Sequence, residues 1–96
     1  SDMYISGGSN VYPREVEEAI LTHSGVLECA VVGMPHPRWG ESGIACVVPQ
    51  PGMAVTEAEV LGHLQDRLSR YKQPLRVVVW DALPKSGYGK IPKLLV

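Results

Sequence analysis

The sequence has few cysteines, little net charge and no long apolar run, and each shortage excludes a class of protein. Its two cysteines, Cys29 and Cys46, lie in apolar runs without a CxxC neighbour, so a disulfide framework is excluded and both are predicted to be buried free thiols of a cytoplasmic protein. Lys and Arg number 9 against 10 Asp and Glu, which leaves no basic field for nucleic acid. No apolar stretch approaches the roughly 20 residues that span a bilayer, and no signal-peptide pattern is visible.

Motifs of self-contained catalysis are also missing. The chain has three scattered histidines, His23, His36 and His63. None has a carboxylate or cysteine at ligand spacing, so no metal site is predicted, and no G-x-S-x-G nucleophile elbow occurs. The glycine-containing run before Lys90 differs from a P-loop, because Ile91 follows the lysine and Pro92 is expected to break the helix that would present phosphate-binding amides.

The first part of the chain predicts a hairpin and a helix. With 96 residues, 45% of them hydrophobic, the chain has material for one domain. Met3 to Ile5 and Asn10 to Tyr12 flank Ser6-Gly7-Gly8-Ser9, whose glycines supply the positive φ angles of a tight turn. Pro13 suits the first turn of a helix that ends before Ser24-Gly25.

The rest of the chain predicts three strands and a second helix. Val26 to Gly33 and Ile44 to Val48 are β-branched runs expected to pair antiparallel, with MPHPRWGES as a loop between them. Thr56 and Glu59 predict a capping box for a helix that ends near Arg70. Leu75 to Trp80 is predicted to be a strand, and LPKSGYGKIPK is predicted to be a loop. The predicted fold is α+β: an N-terminal β-hairpin followed by a small, about three-stranded sheet packed with two helices.

Four segments, in order and covering nearly the whole chain, carry a family resemblance. YISGGSNVYPREVEE, VLECAVVGMPHPRWGE, RYKQP and LPKSGYGKI resemble the C-terminal domain of the AMP-forming acid–thiol ligases, the superfamily of acyl-CoA synthetases, peptide-synthetase adenylation domains and firefly luciferase. The SGG-N-VYP-EVEE wording is similar to the acyl- and aryl-CoA ligase branch. The resemblance therefore favours a thiol acceptor.

The resemblance implies that residues 1–96 are the mobile lid domain of a two-step ligase, such as those of fatty acid metabolism. A carboxylic acid and ATP form an acyl-adenylate, and CoA then displaces AMP. The large N-terminal domain, which binds ATP, the acid and most of the Mg²⁺ site, would be the lid's partner and is absent. Both ends are accordingly expected to be cut ends, the hinge is expected just before Asp2, and the chain alone is expected to be inactive.

The resemblance assigns Lys90 as catalytic, contacting carboxylate and phosphate oxygens during adenylation. A compact ammonium group on a glycine-flanked loop suits that task. The loop reads PKSGYGKI, so Tyr88 stands where serine is common in the family, which puts the flexibility of the loop in question.

The same resemblance assigns residues to CoA. Gly7 and Gly8 would flank the pantetheine channel, where the lack of a Cβ lets backbone approach the thiol. Tyr71 would stack on the adenine, with nearby cations meeting the phosphates and Trp39 either packing on the same ligand or anchoring the fold. The candidate cations are Lys72 and Arg76.

Two alternatives remain open at this point. The domain could serve an enzyme that loads a carrier protein instead of CoA, or it could be a non-catalytic interaction module of the same fold. The acid itself is not readable, because its pocket would lie in the large domain.

Overall fold

The computed structural model describes residues 3–85 and 87–95. In it, Gly7 and Gly8 form the turn of the first hairpin. Strand β1 is Tyr4–Ser6 and strand β2 is Ser9–Val11, paired antiparallel. The φ angles of Gly7 and Gly8 are +57° and +83°, values that residues with a Cβ rarely adopt. The predicted hairpin is confirmed. It joins the main sheet, because Ser6 pairs with Gly40.

Strands β3, Val26–His36, and β4, Gly40–Pro49, form a long antiparallel pair. The predicted pairing is confirmed, but the predicted loop MPHPRWGES is wrong over most of its length. Only residues 37–39 lie between the strands, and Pro35 pairs with Glu41. Strand β3 pairs only with β4 among the described residues, and an edge strand tolerates a proline that lacks an N–H.

Helix α1, Pro13–Leu21, begins at the predicted proline, and helix α2, Glu57–Leu64, begins with the predicted capping box of Thr56 and Glu59. Helix α2 ends six residues before Arg70, so the predicted end is wrong. Hydrogen bonds from Gln65 N to Gly62 O and from Arg67 N to Leu64 O join residues three apart, which tightens the chain out of α-helical geometry.

Strand β5, Arg76–Val79, lies within the predicted third strand and pairs parallel with β4. The sheet therefore has five strands in the order β2-β1-β4-β3, with β5 also bonded to β4. Beyond it, the predicted C-terminal loop contains a short helix α3, Ile91–Leu94, which the sequence interpretation missed. Pro92 occupies the first turn, where its missing N–H costs no hydrogen bond, so it starts this helix rather than breaking it.

Alternating residues of β3 and β4 send apolar side chains to both faces of the sheet. Cys29 and Val31 face one way, and Ala30 faces the other. Helices α1 and α2 cover the first face and α3 covers the second, where Ile91 is fully buried. The α+β prediction is confirmed, with both faces of the sheet covered. No helix among the described residues is long and apolar enough to cross a membrane.

Candidate functional site

Lys90 is an exposed residue between a glycine-containing turn and a buried anchor. It ends a 3-10 turn, Tyr88–Lys90, and the next residue, Ile91, is fully buried against the sheet. Gly87, at the start of the turn, has a φ of +110°, which a residue with a Cβ adopts only with strain. Ser86, also part of the sequence motif, lies outside the described residues. The fold therefore exposes Lys90 to solvent, while the burial of Ile91 anchors the backbone directly after it.

Beside this turn lies a depression of about 780 Å³, which we call the lysine-loop groove. Tyr88 and Gly89 form one wall, and residues of β1, α1 and β3 form the others. Partial burial, followed by the carboxylates of Glu28 and Glu17 and by Cys29, raises the pKa of Tyr88. The Tyr88 side chain is partly exposed and lies close enough to these carboxylates for their charge to act on it. The lining residues are Met3, Tyr4, Pro13, Arg14, Glu17, Val31, Val32, Gly33, Glu41, Tyr88, Gly89 and Pro92.

A second depression, of about 670 Å³, lies between the first hairpin and the segment after α2; we call it the hairpin groove. Three residues predicted from the sequence meet there, namely Gly7, Trp39 and Tyr71. Gly8 occupies the adjoining turn position, outside the lining. The full lining is Ser6, Gly7, Trp39, Ser42, Gly43, Gln65, Arg70, Tyr71, Gln73, Pro74 and Leu75.

Trp39 both anchors the fold and presents a face to the hairpin groove. Its ring stacks on His36, with centroids 4.2 Å apart and planes 6° from parallel. Its carbonyl accepts a hydrogen bond of 3.0 Å from Gly7 N, which ties the hairpin to the β3–β4 turn. The side chain is still 43% exposed, so an apolar ligand surface can pack on it. The two sequence interpretations of Trp39 are therefore compatible.

Lys72 and Arg76, the two cations that the sequence predicted to meet the phosphates of CoA, form ion pairs with carboxylates of this domain instead. Lys72 Nζ lies 2.8 Å from Glu15 Oε2, and this hydrogen bond raises the pKa of Lys72. Arg76 Nε donates to Glu57 Oε2 at 2.7 Å, and the same oxygen accepts from Val77 N at 2.8 Å. These two bonds lower the pKa of Glu57 and fasten α2 to β5. Neither cation lines the hairpin groove.

The groove has a different basic residue, Arg70, which the sequence interpretation missed. Arg70 is exposed and forms no ion pair with a described residue, unlike Lys72 next to Tyr71 in the same turn. Its guanidinium group is suited to phosphate oxygens. The available signal was its position directly before Tyr71 in the RYKQP segment. Three other polar residues line the groove without any signal in the sequence that predicts it: Ser42, Gln65 and Gln73.

Tyr4 lines the lysine-loop groove and also packs over a glycine of the hairpin groove, so we call it the shared wall of the two grooves. Its ring occupies the space over Gly33 and Gly43, which face each other across β3 and β4; a Cβ built on Gly33 would lie 2.6 Å from the Tyr4 Cβ. Gly33 lines the lysine-loop groove and Gly43 lines the hairpin groove, so one aromatic ring supports both. Burial, followed by the Glu41 carboxylate, raises the pKa of Tyr4 to about 12.

Nucleophilic and metal chemistry finds no support in the described residues. Burial raises the pKa of Cys29 to about 12 and that of Cys46 to about 11, which keeps both thiols protonated and unreactive. The prediction that both are buried free thiols is confirmed. Residues 3–85 and 87–95 contain no group of three or more His, Cys, Asp or Glu side chains that could hold a metal ion.

Comparison with known proteins places this fold and its lysine segment in one family. Residues 15–90 match the AMP-binding enzyme C-terminal domain, and the chain belongs to that family. It is 51% identical over 92 residues to a feruloyl-CoA synthase of an Amycolatopsis species and 45% identical over 93 residues to the peroxisomal trans-cinnamate:CoA ligase of Petunia hybrida. These alignments cover 96% and 97% of the chain, but 19% and 16% of the relatives.

Solved structures give the same result. The Mycobacterium tuberculosis fatty acyl CoA synthetase superposes with a TM-score of 0.86 at 39% identity, over 97% of this chain and 19% of that one. The resemblance inferred from the four sequence segments is confirmed. The chain spans about a fifth of the length of the relatives that it matches.

Proposed function

We propose that this chain is the C-terminal lid domain of an ATP-dependent acyl-CoA synthetase, whose large N-terminal domain binds ATP, Mg²⁺ and the acid. One observation carries the proposal: a single small domain bears two separate grooves, one beside an exposed lysine and one lined by aromatic residues and an arginine. Two half-reactions need two different sets of contacts. Rotation of the lid would offer one groove and then the other to the same active site.

In the adenylating orientation, Lys90 stabilises the negative charge that builds on carboxylate and α-phosphate oxygens as they come together. The ammonium group needs no rearrangement of the domain core, because Ile91 holds the next position in place. Tyr88 begins the same turn and lines the lysine-loop groove. We infer that this tyrosine steadies a loop that would otherwise depend on its glycines alone.

In the thioester-forming orientation, the hairpin groove holds CoA. The Tyr71 ring is 46% exposed and lies beside Trp39 in the same groove, which suits stacking of a purine base. Arg70 replaces Lys72 and Arg76 as the candidate for the phosphates, because both of those cations are committed to ion pairs. The Gly7-Gly8 turn flanks the path of the thiol.

The proposal extends to the compartment and to the class of acid. Two buried free thiols are in keeping with a cytoplasmic enzyme. The names of the relatives include feruloyl and trans-cinnamate CoA ligases and a fatty acyl CoA synthetase, so aryl or fatty acids are the proposed substrate classes.

The proposal is tested by replacing Lys90 with Ala in the full-length ligase that contains this domain. Pyrophosphate exchange should fall by about 10²–10³, the loss typical of removing one transition-state donor. Lys85→Ala and Lys93→Ala are matched controls, since both side chains are exposed and lie within five residues of Lys90. Exchange at the wild-type rate, or equal losses in the controls, would overturn the assignment.

A further inference from the structure

Gln73 carries a buried oxygen that no described residue satisfies. Its Nε2 donates to the carbonyls of Leu64 and Leu68 at 2.7 and 2.8 Å, which uses both amide hydrogens. The orientation of the carboxamide is thereby fixed, because the two carbonyl acceptors require the nitrogen on their side. Oε1 points the other way, screened from solvent and without a hydrogen-bond partner.

The residue that carries this oxygen lines the hairpin groove, although Oε1 itself is screened from solvent. Gln73 lines the groove together with Tyr71, Leu75 and Ser42, and Ser42 is a polar residue only 4% exposed. Buried polar atoms are almost always paired, so an unpaired acceptor beside a ligand groove points to a partner from outside the domain. Because Oε1 can only accept, that partner must be a donor. A phosphate or carboxylate oxygen would be repelled there.

We propose that Gln73 is a specificity-determining residue of this groove, whose Oε1 accepts a hydrogen bond from an N–H group of the bound thiol substrate. The proposal rests on the proposed function, in which that substrate is CoA. The Ser42 hydroxyl, which can both donate and accept, supplies a second polar contact beside it.

Access to Oε1 requires a side chain to move aside. Tyr71 and Leu75 flank Gln73 at two residues' distance and are 46% and 43% exposed, so both have room to shift. CoA offers two kinds of N–H donor, the amides of its pantetheine arm and the exocyclic amine of its adenine. Both present the same chemistry to a carboxamide oxygen.

The test uses two variants of the full-length ligase, Gln73→Met and Gln73→Lys. Met removes both the acceptor and the donors, whereas Lys keeps donors for the Leu64 and Leu68 carbonyls and lacks the acceptor. In both variants KM for CoA should rise about tenfold with kcat nearly unchanged. If Gln73 only braces the end of α2, Gln73→Lys should keep the wild-type KM, and this result would overturn the proposal.

Ligand analogues identify the donor. Wild type and variants are compared with CoA, with its analogue containing purine in place of adenine, and with phosphopantetheine, which lacks the nucleoside. If the tenfold difference disappears with the purine analogue, the adenine amine is the donor; if it persists with phosphopantetheine, an amide is. A difference that persists with the purine analogue but disappears with phosphopantetheine would contradict the proposal, because it would exclude both the adenine amine and the amides as the donor.

Tyr71→Ala separates failure of this inference from failure of the proposed function. A raised KM for CoA in Tyr71→Ala, together with an unchanged KM in both Gln73 variants, would leave CoA in the groove and exclude Gln73 from its recognition. An unchanged KM in Tyr71→Ala would instead remove CoA from the groove altogether.

Discussion

The lysine-loop groove and the hairpin groove are built in different ways. Beside the first, the proposed catalytic side chain is an exposed lysine on a glycine-flanked turn. In the second, the aromatic residues are held by neighbours: Trp39 stacks on His36, and Tyr71 lies 5.6 Å from the ammonium of Lys72. In the proposed function, the cation that meets developing charge thus stands on a short turn, whereas the stacking platform is braced by its neighbours.

The grooves share no lining residue, yet Tyr4 supports both. The two grooves can therefore serve different half-reactions, although the stability of both depends on the same residue. Substitutions at the shared wall should damage both half-reactions, and substitutions in one groove should damage one.

The largest expected effect on stability is that of Gly33→Ala, which would force the new methyl group against the Tyr4 side chain. Overpacking of this kind costs about 1–3 kcal/mol of unfolding free energy. Chemical denaturation of the 96-residue chain measures it. Gly62→Ala is the control, because a Cβ there meets nothing within 4 Å, and alanine should stabilise α2 by up to about 1 kcal/mol.

A Gly33→Ala variant as stable as wild type would mean that Tyr4 is not the common wall. The two grooves would then have no structural support in common.

A smaller effect is expected from Gly8→Ala in the full-length ligase. The thioester half-reaction should fall about tenfold, equivalent to about 1.4 kcal/mol, while adenylation stays near wild type. Within the domain a Cβ at Gly8 meets nothing within 4 Å, so any obstruction would come from outside it.

Gly52→Ala is matched to Gly8→Ala, because its φ of +75° and open surroundings give the same backbone strain without a groove. Equal losses of thioester formation in both variants would reduce the role of Gly8 to backbone conformation alone.

The smallest expected effect is pH dependence of stability at the α1–α2 contact, which belongs to neither groove. Thr22 Oγ1 donates to Ala19 O and lies 2.7 Å from His63 Nε2, so neutral His63 carries its proton there. Burial, followed by Arg67 and His23, lowers the pKa of His63 below its ordinary value of 6.5, with Asp66 opposing.

Because the folded pKa is the lower one, this stability is present above about pH 6.5 and is lost as pH falls below it. The urea midpoint of the chain should therefore drop more on acidification than that of His63→Gln. Parallel curves for the two proteins would assign the pH dependence to other groups.

Local patterns predicted the local structure of this chain. The Gly-Gly hairpin, the start of α1 at Pro13 and the capping box at Thr56 depend on neighbours within a few residues, and all three are confirmed. The β3–β4 turn was placed too long because Pro35 is a strand breaker except at an edge, and edges are set by topology. The prediction that Pro92 breaks a helix was wrong for a similar reason, because the effect of a proline depends on its position in the helix, and Pro92 lies in the first turn.

The grooves were only partly predictable because long-range pairing decides which side chains are free. Lys72 is paired with Glu15, which lies 57 positions away, and Arg76 with Glu57, 19 positions away. No local spacing reveals either pair. Arg70 became the groove's candidate cation only once those partners were known.

The most direct test of the account measures both half-reactions in Lys90→Ala and Tyr71→Ala forms of the full-length ligase. Opposite outcomes are expected for the two variants. Lys90→Ala should lose adenylation and still convert a supplied acyl-adenylate to thioester, whereas Tyr71→Ala should adenylate normally and need about 10 to 100 times more CoA, the loss typical of one stacked base. Loss of the same half-reaction by similar factors in both variants would contradict the division of chemistry between the two grooves.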